Sequence, residues 1–104
     1  MKIIREGHRY ELANFENADQ DGQILQFIEK MPKASEPTEL FTVKDGTTNE
    51  EVLAVLLDRL NHLQNKFPCS ENENALDHLG KALWWLNERT FQRKLRNVEG
   101  KQIA

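Results

Sequence analysis

Two leucine stripes on either side of Phe67-Pro68 leave the second half of this chain little freedom. Val52, Leu53, Leu56, Leu57, Leu60 and Leu63 recur at helical spacing, and Leu76, Leu79, Leu83 and Leu86 do so again after the proline. Thr48-Asn49-Glu50-Glu51 ahead of the first stripe has the form of a capping box, in which a hydroxyl and a carboxylate satisfy each other's helix-terminal amides. Ser70-Glu71-Asn72-Glu73 ahead of the second stripe repeats it. The ring of Pro68 disfavours helical geometry at Phe67, so the first helix ends there. Two helices joined by about four residues pack antiparallel. Ala75 and Ala82 allow close approach.

The first half carries a different period. Lys2-Ile3-Ile4-Arg5 and Arg9-Tyr10-Glu11-Leu12 flank Glu6-Gly7-His8, a connection of hairpin length with a glycine suited to positive φ. Ala13 to Asp21 is polar and reads as a loop ending at Gly22. Gln23 to Glu29 reads as one strand on its β-branched and aromatic content, and Pro32 to Pro37 interrupts the chain. Glu39 to Val43 reads as the last strand, with Asp45-Gly46 turning out of it. Four short strands then make one small sheet. The expected fold class is α+β, a small N-terminal antiparallel β-sheet followed by a C-terminal antiparallel two-helix hairpin. At 104 residues this is expected to be a single domain, with 1–46 the β-sheet part and 47–104 the hairpin.

The second stripe runs into a basic segment. Arg89, Arg93 and Arg96 are spaced i, i+4, i+7 and share one helical face, with Trp85 one turn before them. An aromatic plane followed by a column of guanidinium forks suits a phosphate-bearing nucleotide, since each fork can take phosphate oxygens in pairs. The plainer alternative is a solvated charged helix end. Charge distribution bears on the choice. The chain is acidic, with net charge −3, yet residues 89–104 hold five basic side chains against one acidic. A local basic cluster on an acidic protein suits a small anion better than a nucleic-acid polymer.

Catalytic constellations are missing from the sequence. No GxSxG, Walker loop or HExxH occurs, and His8, His62 and His78 are isolated in the sequence. His62 and His78 can face each other across the helix pair, but no cysteine or second carboxylate at ligand spacing completes a site. Neither a catalytic residue, a metal site nor a cofactor is expected. Cys69 is the single cysteine, so no internal disulfide can form and a reducing compartment is the default. No apolar run reaches membrane-spanning length and no signal-peptide pattern opens the chain, so a soluble intracellular protein is expected. The loop before the second helix offers a different kind of site. Phe67 can stack, the helix N-terminus can receive an acceptor, and the Asn72 amide can read a base or ribose edge. A hairpin turn with a hydrophobic anchor explains the same residues more simply. Asn72 and Arg93 lie about 30 Å apart along one helix, so a small ligand touching both needs two chains.

The run Phe67-Pro68-Cys69-Ser70-Glu71-Asn72, then Ala82-Leu83-Trp84-Trp85-Leu86-Asn87-Glu88-Arg89-Thr90 through Arg93 to Val98-Glu99-Gly100, resembles the helical hairpin of phage anti-defence sponge proteins. The Thoeris anti-defence type is the better match, because it carries an N-terminal β-sheet that the anti-CBASS sponges lack. Ile3-Ile4-Arg5-Glu6-Gly7, Tyr10-Glu11-Leu12-Ala13-Asn14-Phe15 and Gln26-Phe27-Ile28-Glu29 are similar to that N-terminal part. The resemblance implies a phage protein acting in the cytoplasm of the infected bacterial host. It implies binding of glycocyclic ADP-ribose, a cyclic ADP-ribose-type signal nucleotide, without cleavage, and for some members binding of CBASS cyclic oligonucleotides at separate sites. It also implies a homo-oligomer, a dimer assembled further into a hexamer. Carried over by position, the ligand-binding residues are Phe67, Asn72 (or Asn74), Arg89 and Arg93, with Arg96 added from the shared face. A phage nucleic-acid-binding or regulatory protein using the basic helix end is the alternative, and a purely structural oligomer is a third class.

Overall fold

A computed structural model describes residues 1–96. The fold is α+β, with antiparallel strands followed by two helices. The chain divides into two compact units, Met1–Thr48 and a second that starts at Asn49.

The first unit holds β1 (Lys2–Arg5), β2 (Arg9–Leu12), β3 (Gln23–Gln26), β4 (Glu29–Pro32) and β5 (Leu40–Lys44). They form two sheets and not the single four-stranded sheet expected from the sequence. β1, β2 and β3 make an antiparallel three-stranded sheet, and β4 pairs antiparallel with β5. The turn between β1 and β2 passes through Gly7 at φ 75°, a left-handed conformation that a side chain resists.

The segment read as one strand changes partner halfway. Gln23 to Gln26 pair with β2, the Phe27 amide then donates to the His8 carbonyl at 2.7 Å, and the Ile28 amide donates to Thr47 at 2.9 Å. From Glu29 onward the ladder belongs to β5. Chain 46–47 lies against this crossover, and a Cβ on Gly46 would stand 2.5 Å from the Gln26 carbonyl oxygen. Only glycine fits there without displacement. Tyr10 and Phe27 meet edge-to-face nearby, with ring centroids 6.0 Å apart.

One ion pair ties the two sheets together. Arg5 donates through Nε to Glu29 Oε1 at 2.6 Å and through Nη2 to Oε2 at 2.5 Å. Glu29 is 5% exposed and is the buried charged residue of the described chain. The hydrogen bonds from Arg5 hold its carboxyl below the usual glutamate range against the opposing effect of burial; the charges of Arg5 and His8 also lower it. A carboxyl with a lowered folded-state pKa stabilises the fold fully above its unfolded value, and that contribution disappears as the pH falls through the lowered one. The melting-temperature gap between the parent and Glu29→Gln should therefore be widest near neutrality and close as the pH falls below the usual glutamate range. A gap independent of pH would show that the pair does not couple folding to protonation.

The second unit is a hairpin of α1 (Asn49–Lys66) and α2 (Ser70–Leu95). Thr48 immediately precedes α1 and Glu51 lies in its first turn, the positions a capping box requires. At α2 the cap differs from the expected one. Cys69 is the N-cap, extended at φ −151°, and its Sγ accepts from the Asn72 amide at 3.4 Å. Ser70 is already helical and its hydroxyl meets Glu71 Oε2 at 3.3 Å. The facing residues Val52, Leu53, Leu57, Leu60 and Leu63 on α1, and Leu76, Leu79, Leu83 and Leu86 on α2, are half-buried. Leu56, expected in the stripe, is exposed. A hairpin covers only one side of each helix, and the α1 stripe is broader than that side. No hydrophobic side chain among the described residues is fully buried.

Candidate functional site

The loop that presents Phe67 and leads to Asn72 is three residues long, Phe67 to Cys69. Its geometry rests on a reciprocal pair that the sequence did not signal. The Cys69 amide donates to Gln64 Oε1 at 3.1 Å, and Gln64 Nε2 donates back to the Cys69 carbonyl at 3.2 Å. The Phe67 amide completes the helix by donating to Leu63 at 2.8 Å, which leaves its ring 75% exposed. Cys69, fixed at both backbone groups, then holds the first turn of α2 through the Asn72 amide. The Asn72 backbone donor is thereby used, so what this end of α2 offers a ligand is the Asn72 side chain and the Phe67 ring. Asn72 is half-buried and Asn74 exposed.

The basic residues stand at the opposite end of the same helix. α2 is continuous over 26 residues, against 18 in α1, so about its last two turns run past the start of α1 in an antiparallel hairpin. Arg89 and Arg93 lie on this extension and Arg96 is its C-cap, with its amide donating to Gln92 at 3.1 Å. Arg89 and Arg96 are exposed and Arg93 is half-buried. Basic side chains in the last turn oppose the partial negative charge of the helix end, which accounts for Arg93 and Lys94 but not for the column as a whole. Trp85, one turn before Arg89, is 66% exposed and meets Trp84 edge-to-face at 4.8 Å. Phe91 and Leu95 add further exposed apolar surface to the same end.

Within one chain the two groups are not brought together. Phe67 and Asn72 lie at the N-terminal end of α2 and Arg89, Arg93 and Arg96 at its C-terminal end, separated by nearly the full helix, about 30 Å. Each end presents its own set of groups, an aromatic ring with an amide at one and a tryptophan with guanidinium groups at the other. Among the described residues, no group of three or more His, Cys, Asp or Glu side chains is placed to hold a metal ion. Nor is any described helix long and apolar enough to cross a membrane. Val98, Glu99 and Gly100 lie outside the described residues.

Comparison with known proteins gives one family model and one relative. The family model described as "Acb2/Tad1, hairpin domain" matches residues 27–91, which takes in Phe67, Asn72 and Arg89 and stops short of Arg93 and Arg96. A relative called Thoeris anti-defense 1, from Bacillus phage SBSphiJ7, is 46% identical over 57 residues. That alignment covers 54% of this chain and 40% of the relative's length.

Proposed function

Because the chain belongs to the Acb2/Tad1 hairpin-domain family, we propose that it is a phage anti-defence protein that captures a cyclic ADP-ribose-type signal nucleotide and holds it uncleaved. The observation that carries this reading is the polarity of α2, with an aromatic and an amide at one end and a tryptophan–arginine column at the other. Two hairpins laid antiparallel set the loop of one chain beside the basic end of its partner. A ligand between them receives stacking and an amide edge contact from one chain, and guanidinium forks for its diphosphate from the other. Phe67, Asn72, Arg89, Arg93 and Arg96 are the residues assigned to that pocket.

Capture of this kind needs no chemistry. A binder made in excess lowers free signal by mass action, and tight binding by itself keeps the host effector silent. The proposed signal is glycocyclic ADP-ribose, and the place of action is the cytoplasm of the infected host.

The experiment is to incubate purified protein with glycocyclic ADP-ribose, remove unbound ligand, denature by heat and identify what is released. The expected result is intact ligand in stoichiometric amount. Recovery of a hydrolysed product would turn the reading to an enzyme, and recovery of nothing would end it.

A further inference from the structure

A second cluster of cations lies in the β unit, on residues that the proposed signal pocket does not use. Strand register places Arg5 opposite Arg9, and Arg9 opposite Gln26, in one row across β1, β2 and β3. In the other sheet Glu29 lies opposite Lys44. These side chains, with Val43, line an open groove of about 430 Å³. The unit is acidic as a whole, with nine carboxylates against six basic residues over 1–48, yet three of those six converge here.

The arrangement is built and not incidental. Both oxygens of Glu29 are taken by Arg5, which fixes the plane of that guanidinium and neutralises the one carboxylate of the groove. Arg9 donates through Nη1 to Gln26 Oε1 at 3.1 Å, and Gln26 is held in turn by donating to the Phe27 carbonyl at 2.8 Å. Each arginine therefore has a neighbour that orients it, which is how a preorganised anion site is supported. Like charges directly opposite across a ladder are destabilising, so the Arg5–Arg9 pairing works against the sheet. Lys44 has no polar partner of its own among the described residues and stands exposed on β5. With Arg5 neutralised by Glu29, the groove carries two uncompensated positive charges, Arg9 and Lys44.

We infer that this groove binds the terminal phosphate of a small phosphate monoester, with Arg9 and Lys44 taking its oxygens and Val43 and the arginine stems receiving its organic part. The charge argues for a monoester. At neutral pH a monoester phosphate carries close to two negative charges, which matches Arg9 and Lys44, whereas a diester carries one. The fork of Arg9 can meet two oxygens at once and Lys44 supplies a point charge from the facing strand.

The test uses phenyl phosphate as probe on the full chain, followed by backbone amide spectra and calorimetry. Amides of residues 5, 9, 26 and 44 are expected to shift together, and phenol and diphenyl phosphate should bind at least about tenfold more weakly. Lys44→Ala and Arg9→Gln should each weaken binding about tenfold, while Lys44→Arg keeps most of it. Lys44 is exposed, so its variants should melt with the parent and report on binding alone. The double variant Arg89→Ala/Arg93→Ala should bind phenyl phosphate like the parent, which separates this groove from the signal pocket. Loss in that double variant with no loss in Lys44→Ala would place the probe on α2 and overturn the inference. So would binding of single-stranded DNA with a steep salt dependence and no response to phenyl phosphate.

Discussion

Arg93→Ala and Arg89→Ala should each weaken capture of glycocyclic ADP-ribose by about tenfold to a hundredfold or more. The two residues stand one turn apart on the extension of α2, so both forks can reach one diphosphate. A charge-assisted contact of this type contributes roughly 1.5–3 kcal/mol, and the phosphate oxygen left unpaired adds to the loss. Neither change should lower the melting temperature appreciably, since neither side chain belongs to the half-buried leucine stripes between α1 and α2. Arg→Lys should rescue only in part, because an ammonium cannot reproduce the planar fork. Lys81→Ala serves as the charge control; that lysine is engaged with Asp77 at 2.9 Å, one turn away on α2, so its loss should leave affinity unchanged. Calorimetry beside thermal melting separates the outcomes. Parental affinity in both alanine variants would reduce the basic column to a solvated helix end. Affinity that collapses steeply with salt would favour polymer nucleic acid over a small ligand.

The second large effect concerns assembly. At micromolar concentration the protein should sediment as a dimer or larger, with a hexamer the expected endpoint, and ligand affinity should fall with dissociation. The physical ground is the surface of the single chain. No described hydrophobic side chain is fully buried, and Phe67, Trp84, Trp85, Phe91 and Leu95 are each more than half exposed. A stable interface removes roughly 800 Å² per partner from water, and aromatic anchors are its usual centre. Leu95→Asp and Trp84→Asp should shift the distribution toward monomer by placing a charge in that contact. A strict monomer that still captures ligand tightly would rule out a pocket shared between chains.

Much of the fold could be read from residue order. The leucine spacing and Pro68 specified two helices and their break, because helical periodicity and proline sterics act within a few residues of chain. Glu6-Gly7-His8 likewise announced its hairpin, since a left-handed turn needs a residue without a Cβ. Local chemistry also decided the order of groups along α2. A rise of about 1.5 Å per residue separates Asn72 from Arg93 whatever the rest of the chain does, so long as the helix is continuous.

Other features depended on which distant segments met. Gln23 to Glu29 has the composition of one strand, but its amides find β2, then Thr47, then β5, so the strand divides where its partner changes. Ser70 has the better capping side chain, yet Cys69 caps α2 because Gln64, five residues back, clasps both of its backbone groups. Arg5, Arg9, Gln26, Glu29 and Lys44 are scattered over forty residues and come together only through strand register within each sheet and an ion pair between the sheets. Periodicity and sterics are properties of neighbouring residues and were legible in order. Hydrogen-bond partners in a sheet are chosen by competition among remote amides, and only the folded chain decides that contest.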